Sequence, residues 1–381
     1  MHVKQLLAPH GSRIVGTIAG VINKYEYDTD YGADPSIVEV ASNVFAIAYG
    51  GTDNDGYIKT IAITDEGTIG AIIDTIEFDP ALCANVCLAH VTGDIYVVAY
   101  QGPDNDGWLA TVDIDAAGNI GAVQGTFEID GDYGRYFSII HISGNVFAFV
   151  YQGSAVNPNR GTITTLPIDG TGAIGAVIAT EVFENNMGAF PDIIHISGNV
   201  YAIAHTGRDE DGWVRTWNIA TDGTLGGQIS EFEFDNTYCH TPRIIHVSGD
   251  IYAIAYQGPP SPPPIQGDGF IKTISINATG TTIALEDTLE FDITFCSQPS
   301  HIVYISGDVY AIAYEGDGDD GILITIHIAN DGTIVGVADS LIFEAVNCWA
   351  PELIKVTNGV VAICHAGVDD DGWLVTARVN I

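Results

Sequence analysis

Short apolar runs alternate with turn residues along the whole chain, and one run returns seven times. It is an apolar strand that ends in an aromatic residue or His, then any residue, then Gly. It reads NVFAIAYGG to Gly51, DIYVVAYQG to Gly102, NVFAFVYQG to Gly153 and NVYAIAHTG to Gly207. It continues DIYAIAYQG to Gly258, DVYAIAYEG to Gly316 and GVVAICHAG to Gly367. Successive glycines are 51, 51, 54, 51, 58 and 51 residues apart. A period that persists over the whole chain marks a repeat protein, each copy being one supersecondary unit.

The pattern within a copy predicts four strands. Strand A is SIIHIS-like (138–143, 192–197, 243–248). A Ser-Gly-Asn or Ser-Gly-Asp turn follows, a short hairpin signal. Strand B is the recurring run. A four-residue loop then reaches a Gly at which strand C starts: TDND before Gly56, PDND before Gly107, RDED before Gly212, VDDD before Gly372. A second Gly-containing turn leads into strand D, which ends IEFD, FEID, FEFD or LEFD. The seventh copy stops after strand C. The segment GTIAGVINKYEYD (16–28) aligns without a gap to the strand D segment GTIGAIIDTIEFD (67–79). The N-terminal strand is therefore expected to supply the missing outer strand of the last copy, pairing an otherwise open edge.

Four-stranded antiparallel copies of this length resemble the blades of the β-propeller superfamily, over residues 14–381. The resemblance implies an all-β fold: a single closed seven-bladed β-propeller with four antiparallel strands per blade. Residues 1–13 read as an arm or linker. The Trp-Asp signature of WD40 blades, the kelch diglycine and the Asp-box pattern are not met. The resemblance also implies a top face built from the B–C loops and D–A crossings, where ligands sit at the mouth of the central channel.

Composition and charge narrow the function classes. With 12 basic and 49 acidic residues the formal charge is −37. Such a surface repels phosphate backbones and anionic lipid, so no nucleic-acid partner is expected. No apolar run is long enough to span a membrane, so no membrane insertion is expected. The N-terminus has no apolar core of a signal peptide. Acidity with little Lys suits an extracellular, cell-surface or virion setting, or simple solubility. Cys83, Cys239, Cys296 and Cys348 recur at one position on different copies, too far apart for disulfides. That position alternates with Gly32, Gly134 and Gly188, so it demands a small residue.

Four features carry candidate chemistry. The B–C loops repeat acids, as Asp53 and Asp55, Asp104 and Asp106, Asp209 and Asp211, Asp369 and Asp371. Every strand D also ends in one, from Asp28 to Glu344. If the two sets approach each other, Ca²⁺ is the cofactor they suit. Turn chemistry alone also explains Asp and Gly there. Aromatic residues follow the loop Gly, among them Trp108 and Trp213. They suit sugar stacking or plain packing. His90, His141, His195 and His246 share one strand-A position, which is expected to make a repeated hydrogen bond to a neighbouring strand.

The fourth feature breaks the repeat. Of seven Arg, four fall on the expected top face of blades three to five: Arg135, Arg160, Arg208 and Arg243. Tyr133, Tyr136, Tyr238 and His240 lie beside them, and enlarged B–C loops (154–160, 259–268) flank the sector. Loops on a rigid scaffold concentrate function. Arg suits carboxylates through its bidentate fork, so a uronate is one ligand for this island. The Arg residues would alternatively neutralise loop aspartates.

No nucleophile elbow, zinc-protease helix, phosphate loop or CxxC pair is present. The leading expectation is a non-catalytic recognition or structural module binding a glycan or protein partner through the top face. A polysaccharide lyase or glycoside hydrolase acting on an acidic glycan is the rival, with Tyr136, Tyr238 and His240 handling protons and Arg135 and Arg243 neutralising the substrate. A purely architectural subunit of a larger assembly is the third reading.

Overall fold

A computed structural model describes residues 15–153, 160–259 and 267–381; the expected arm (1–13) and most of the two enlarged loops lie outside them. Seven four-stranded antiparallel sheets form the blades of a closed propeller. Blades one to six span 33–79, 84–130, 134–184, 189–235, 240–292 and 303–344. The seventh consists of Trp349–Thr357, Val360–Ala366 and Gly372–Val379, completed by Ile18–Asp28 pairing with the last of these. The expected clasp is present. Among the described residues no helix is long and apolar enough to cross a membrane.

Burial explains the strand pattern. Strand B is covered on both faces, as in Ile95–Gln101, where all residues are buried. It therefore reads as a continuous apolar run. Strand D alternates half-buried and exposed positions, as an outer strand should. The apolar clusters lie between blades. One joins Ile47, Tyr49 and Ile61 of blade one to Ala362, Cys364 and Leu374 of blade seven. Ring closure thus buries a full core as well as pairing a strand.

Two polar rings tie each blade to the next. In the first, a buried Thr on strand C donates to a turn Gly carbonyl of the following blade: Thr60 to Gly118 at 2.5 Å, Thr111 to Gly172 at 2.6 Å, Thr216 to Gly280 at 2.7 Å. Thr325 to Gly16 and Thr376 to Gly67 carry it across the N-terminal strand. Gly67 has φ +90, a conformation that a side chain would strain.

The second ring pairs the acid ending strand D with the aromatic ending strand B of the next blade. Tyr49 donates to Asp28 at 2.6 Å, Tyr256 to Asp235 at 2.6 Å and Tyr314 to Asp292 at 2.7 Å. Tyr100 donates likewise to Asp79. Lys59 and Lys272 add ion pairs to Asp28 and Asp235 at 2.8 and 2.9 Å. These strand-D acids are thereby engaged at the blade junctions. The aromatic of the next blade reaches them with a hydroxyl to donate.

All six cysteines are free thiols. The recurring Cys or Gly position backs onto the strand-C glycine: a Cβ on Gly134 would stand 2.5 Å from Gly107 Cα, and one on Gly212 3.0 Å from Cys239 Cβ. Close backbone approach is why the position stays small. The four repeated His rings bond the carbonyl of the turn glycine three residues on, as His90 Nε2 does to Gly93 at 2.9 Å. The partner is in their own hairpin, not a neighbouring strand, because the tight turn brings that carbonyl within reach.

Candidate site at the mouth of the central channel

Strand A begins with the same distortion in six of the seven blades, all but blade six. Its pairing with strand B shifts register near its start, as between His240 and Arg243. One residue per blade there has positive φ: Asp34, Asn85, Tyr136, Phe190, Thr241, Gln298 and Ala350. Pro follows in five blades. Strand A is the inner edge of each sheet, where Pro and bulges are tolerated. The bulges gather side chains from all seven blades around a cavity of about 370 Å³.

The residues two positions on are Ser36, Cys87, Ser138, Asp192, Arg243 and Glu352, with His301 at the corresponding place in blade six. Four consecutive blades thus give Asp, Arg, His and Glu at one level. Asp192 is buried; its Oδ1 accepts Ser138 Oγ at 3.0 Å and its Oδ2 accepts the Ile244 N–H at 2.9 Å. His301 Nε2 stands 3.8 Å from Asp192 Oδ1, and its Nδ1 hydrogen-bonds Glu352. Burial opposes the Asp192 carboxylate, but His301, Arg243 and the Ile244 N–H outweigh it and hold its pKa below the usual range. Burial likewise opposes the His301 imidazolium. Glu352 and Asp192 overcome both that and Arg243, pushing His301 up to about 9. Cys87 is inert: burial pushes its thiol up to about 12, with Arg243 opposing only in part.

An aromatic run frames this floor. Arg135 lies 5.0 Å from the Tyr133 ring centre and 4.8 Å from that of Tyr136. Tyr136 meets Phe190 at 4.1 Å, Phe190 meets His240 at 4.1 Å, and His240 stacks on Tyr238 at 6.4 Å. The run crosses blades three, four and five. Trp349, 47% exposed, stands on the opposite rim. Burial pushes His240 down to about 4 and raises both Tyr136 and Tyr238 above the ordinary phenol range.

The structure therefore brings together Tyr133, Arg135, Tyr136, Tyr238, His240 and Arg243. It leaves four expected residues outside. Arg208 pairs with its neighbour Asp209 at 3.3 Å on an exposed turn, as the charge-neutralising alternative expects. Arg160 is exposed at the start of strand C of blade three. Trp108 and Trp213 lie over their own loop glycines, where a Cβ on Gly102 or Gly207 would come within 2.4 or 2.3 Å of the indole.

Asp53, Asp104, Asp209 and Asp369 are exposed and adopt left-handed turns, φ 59–61. Asp55, Asp106, Asp211 and Asp371 cap those turns. The carboxylate meeting Asp371 and Asp211 is a Glu two residues before the strand-D end: Glu26 and Glu233 respectively, each raised by burial and by that facing acid. Among the described residues no three His, Cys, Asp or Glu side chains converge as a metal-binding group.

Asp192, His301, Glu352 and Phe190 were missed in the sequence. Asp192 and Glu352 follow a strand-A Pro, but so do Ser36, Arg243 and Ser300, while His301 and Phe190 do not.

No protein-family model matches the chain, and no curated protein matches it by sequence. Solved propellers do match in shape. A putative 6-phosphogluconolactonase from Bacteroides fragilis NCTC 9343 gives TM-score 0.60 at 13% identity, over 81% of this chain and 86% of that one. The Pseudomonas aeruginosa periplasmic gluconolactonase PpgL gives 0.61 at 12%, over 82% and 86%. The WD40 domain of Toxoplasma gondii coronin gives 0.57 at 9%, over 97% and 90%. At such identities the likeness is one of fold, and fold does not give function.

Proposed function

We propose that this propeller is a non-catalytic recognition module that holds a glycan at the top mouth of its channel. One observation carries the reading: the rings of Tyr136, Phe190, His240 and Trp349 frame a cavity whose floor is polar and charged. Apolar walls with a few convergent polar groups are the usual make-up of small-ligand sites. Aromatic faces suit the C–H faces of sugar rings, and the floor suits their hydroxyls. The acidic exterior is consistent with an extracellular or virion setting, which belongs to the same proposal. A glycan array followed by calorimetric titration tests it. Phe190→Ala and Trp349→Ala should each weaken binding by about tenfold while leaving the melting temperature within a few degrees. Unchanged affinity in both variants removes the mouth as the site.

A catalytic reading, a lyase or glycoside hydrolase on an acidic glycan, is favoured by His240 and Arg243 sharing the cavity. It is the weaker of the two. Proton carriers work best near the operating pH. Tyr136 and Tyr238 are displaced upward and His240 downward, to about 4. Incubation with acidic polysaccharides should release no new chain ends.

A further inference from the structure

We propose that the channel mouth is a carboxylate site, in which Arg243, Thr241 and His240 of one strand receive a compact sugar acid. The inference rests on the glycan reading and narrows it to one ligand class.

The first argument is charge pairing. Lys24, Lys59, Arg208, Arg215 and Lys272 form ion pairs, while Arg135, Lys355 and Arg378 donate instead to Gln152 and to the carbonyls of Ile305 and Glu66. Arg243 forms no ion pair among the described residues, although Glu352 lines the same cavity and Asp192 lies near enough to be influenced by its charge. The reason is His301. It engages Glu352 through Nδ1 and stands 3.8 Å from Asp192, whose oxygens also accept from Ser138 and Ile244. The neighbouring carboxylates are thus committed, and the guanidinium is left for an anion from outside.

The second argument is independent of charge. Arg243 Nε, Thr241 Oγ1 and His240 Nδ1 are buried atoms without a hydrogen-bond partner among the described residues. Thr241 as a whole is only 6% exposed. Three orphaned polar atoms on four successive residues of one cavity wall call for an oxygen-rich occupant. Nε–H can only donate, the hydroxyl donates or accepts, and a neutral imidazole nitrogen does one or the other. A carboxylate on the Arg fork, with ring hydroxyls toward Thr241 and His240, satisfies all three.

Size and field narrow the ligand. About 370 Å³ is at the small end of ligand pockets, enough for one or two sugar rings. A net charge of −37, with Glu352 in the lining and Asp192 behind His301, disfavours polyanions and dianionic phosphates. A single carboxylate is the anion this site can hold.

The test is calorimetric titration of the full chain with D-glucuronate, D-glucose and D-glucose 6-phosphate. Glucuronate should bind at least about tenfold more tightly than either of the others. Arg243→Gln should lose about tenfold or more for glucuronate and little for glucose, and Thr241→Val should lose severalfold. Glucose binding as tightly as glucuronate, or Arg243→Gln binding glucuronate as wild type does, overturns the carboxylate site and leaves the glycan reading standing. No binding of either sugar to the wild type overturns both. If Arg243→Gln fails to fold, the glucuronate-to-glucose ratio of the wild type and the isosteric Thr241→Val variant still decide.

Discussion

Glu344 of blade six stands 4.0 Å from the imidazole of His365 in blade seven, at the junction position where Tyr49 meets Asp28. All seven junctions obey one rule. Asp on strand D faces Tyr in the next blade (28 and 49, 79 and 100, 130 and 151, 235 and 256, 292 and 314), whereas Glu faces His (184 and 205, 344 and 365). The longer acid is matched with the shorter aromatic, and at 184 and 205 Arg215 bridges the two by donating to both. His365→Tyr alone overpacks the junction and should cost about 1–3 kcal/mol. Adding Glu344→Asp should recover at least half of it, with a coupling on the order of 1 kcal/mol in urea denaturation. Additive costs would show that the two positions are independent.

The same histidines make the fold sensitive to acid. Burial pushes His205 down to about 3 and His365 down to about 4, against backbone bonds from their rings to Thr206 and Ala366. Both are neutral in the folded chain, whereas the unfolded chain binds their protons near pH 6.5. Their contribution is therefore fully present above about 6.5 and is lost as pH falls toward 4, by up to about 3 kcal/mol each. His365→Gln should flatten the acid limb of a melting curve taken from pH 7 to 4. An unchanged limb would assign acid sensitivity to the carboxylates.

Closure depends on the N-terminal strand. Deleting residues 15–28 removes the partner of Gly372–Val379 and the Gly16 carbonyl that Thr325 uses. It also strips Tyr27 from the core between blades seven and one. The truncated chain should aggregate through its open edge, as size-exclusion chromatography would show. Thr376→Val is the gentler version. It removes one bond across the closing junction and should cost about 1 kcal/mol. A monomeric truncation with a near-native melt would refute the clasp as the closing element.

How far the sequence could be read follows from repetition. The period, the strand roles and the clasp were all legible, since a residue demanded by the blade recurs seven times. The aromatic and basic sector from Tyr133 to Arg243 was legible as a break in that repetition. Asp192, His301 and Glu352 were not, for two reasons. Their position differs in almost every blade, so it leaves no pattern to break. His301 is also displaced by the extra Ser300 in blade six, which hides its equivalence to Arg243. The junction rule was hidden differently: its partners are about 21 residues apart in different blades, so neither residue points to the other in the sequence.

His301 ties the channel site to alkaline pH. Burial and Arg243 pull its pKa down while Glu352 and Asp192 raise it, to a net value of about 9. Its charged form is thus favoured by folding, and the stabilisation is fully present below about 6.5 and lost as pH rises through about 9. The imidazole is 45% exposed, so this amounts to only about 1 kcal/mol. The effect on binding should be larger. Once His301 is neutral, Asp192 and Glu352 are less firmly held and compete for Arg243, while Cys87, at about 12, stays a thiol. Glucuronate affinity should therefore fall severalfold between pH 7 and 10 in the wild type. In Glu352→Gln the carboxylate holding His301 most strongly is gone, so the midpoint of that fall should move toward neutral pH. A titration series in both proteins checks this; a common midpoint would mean that His301 does not govern the charge Arg243 presents.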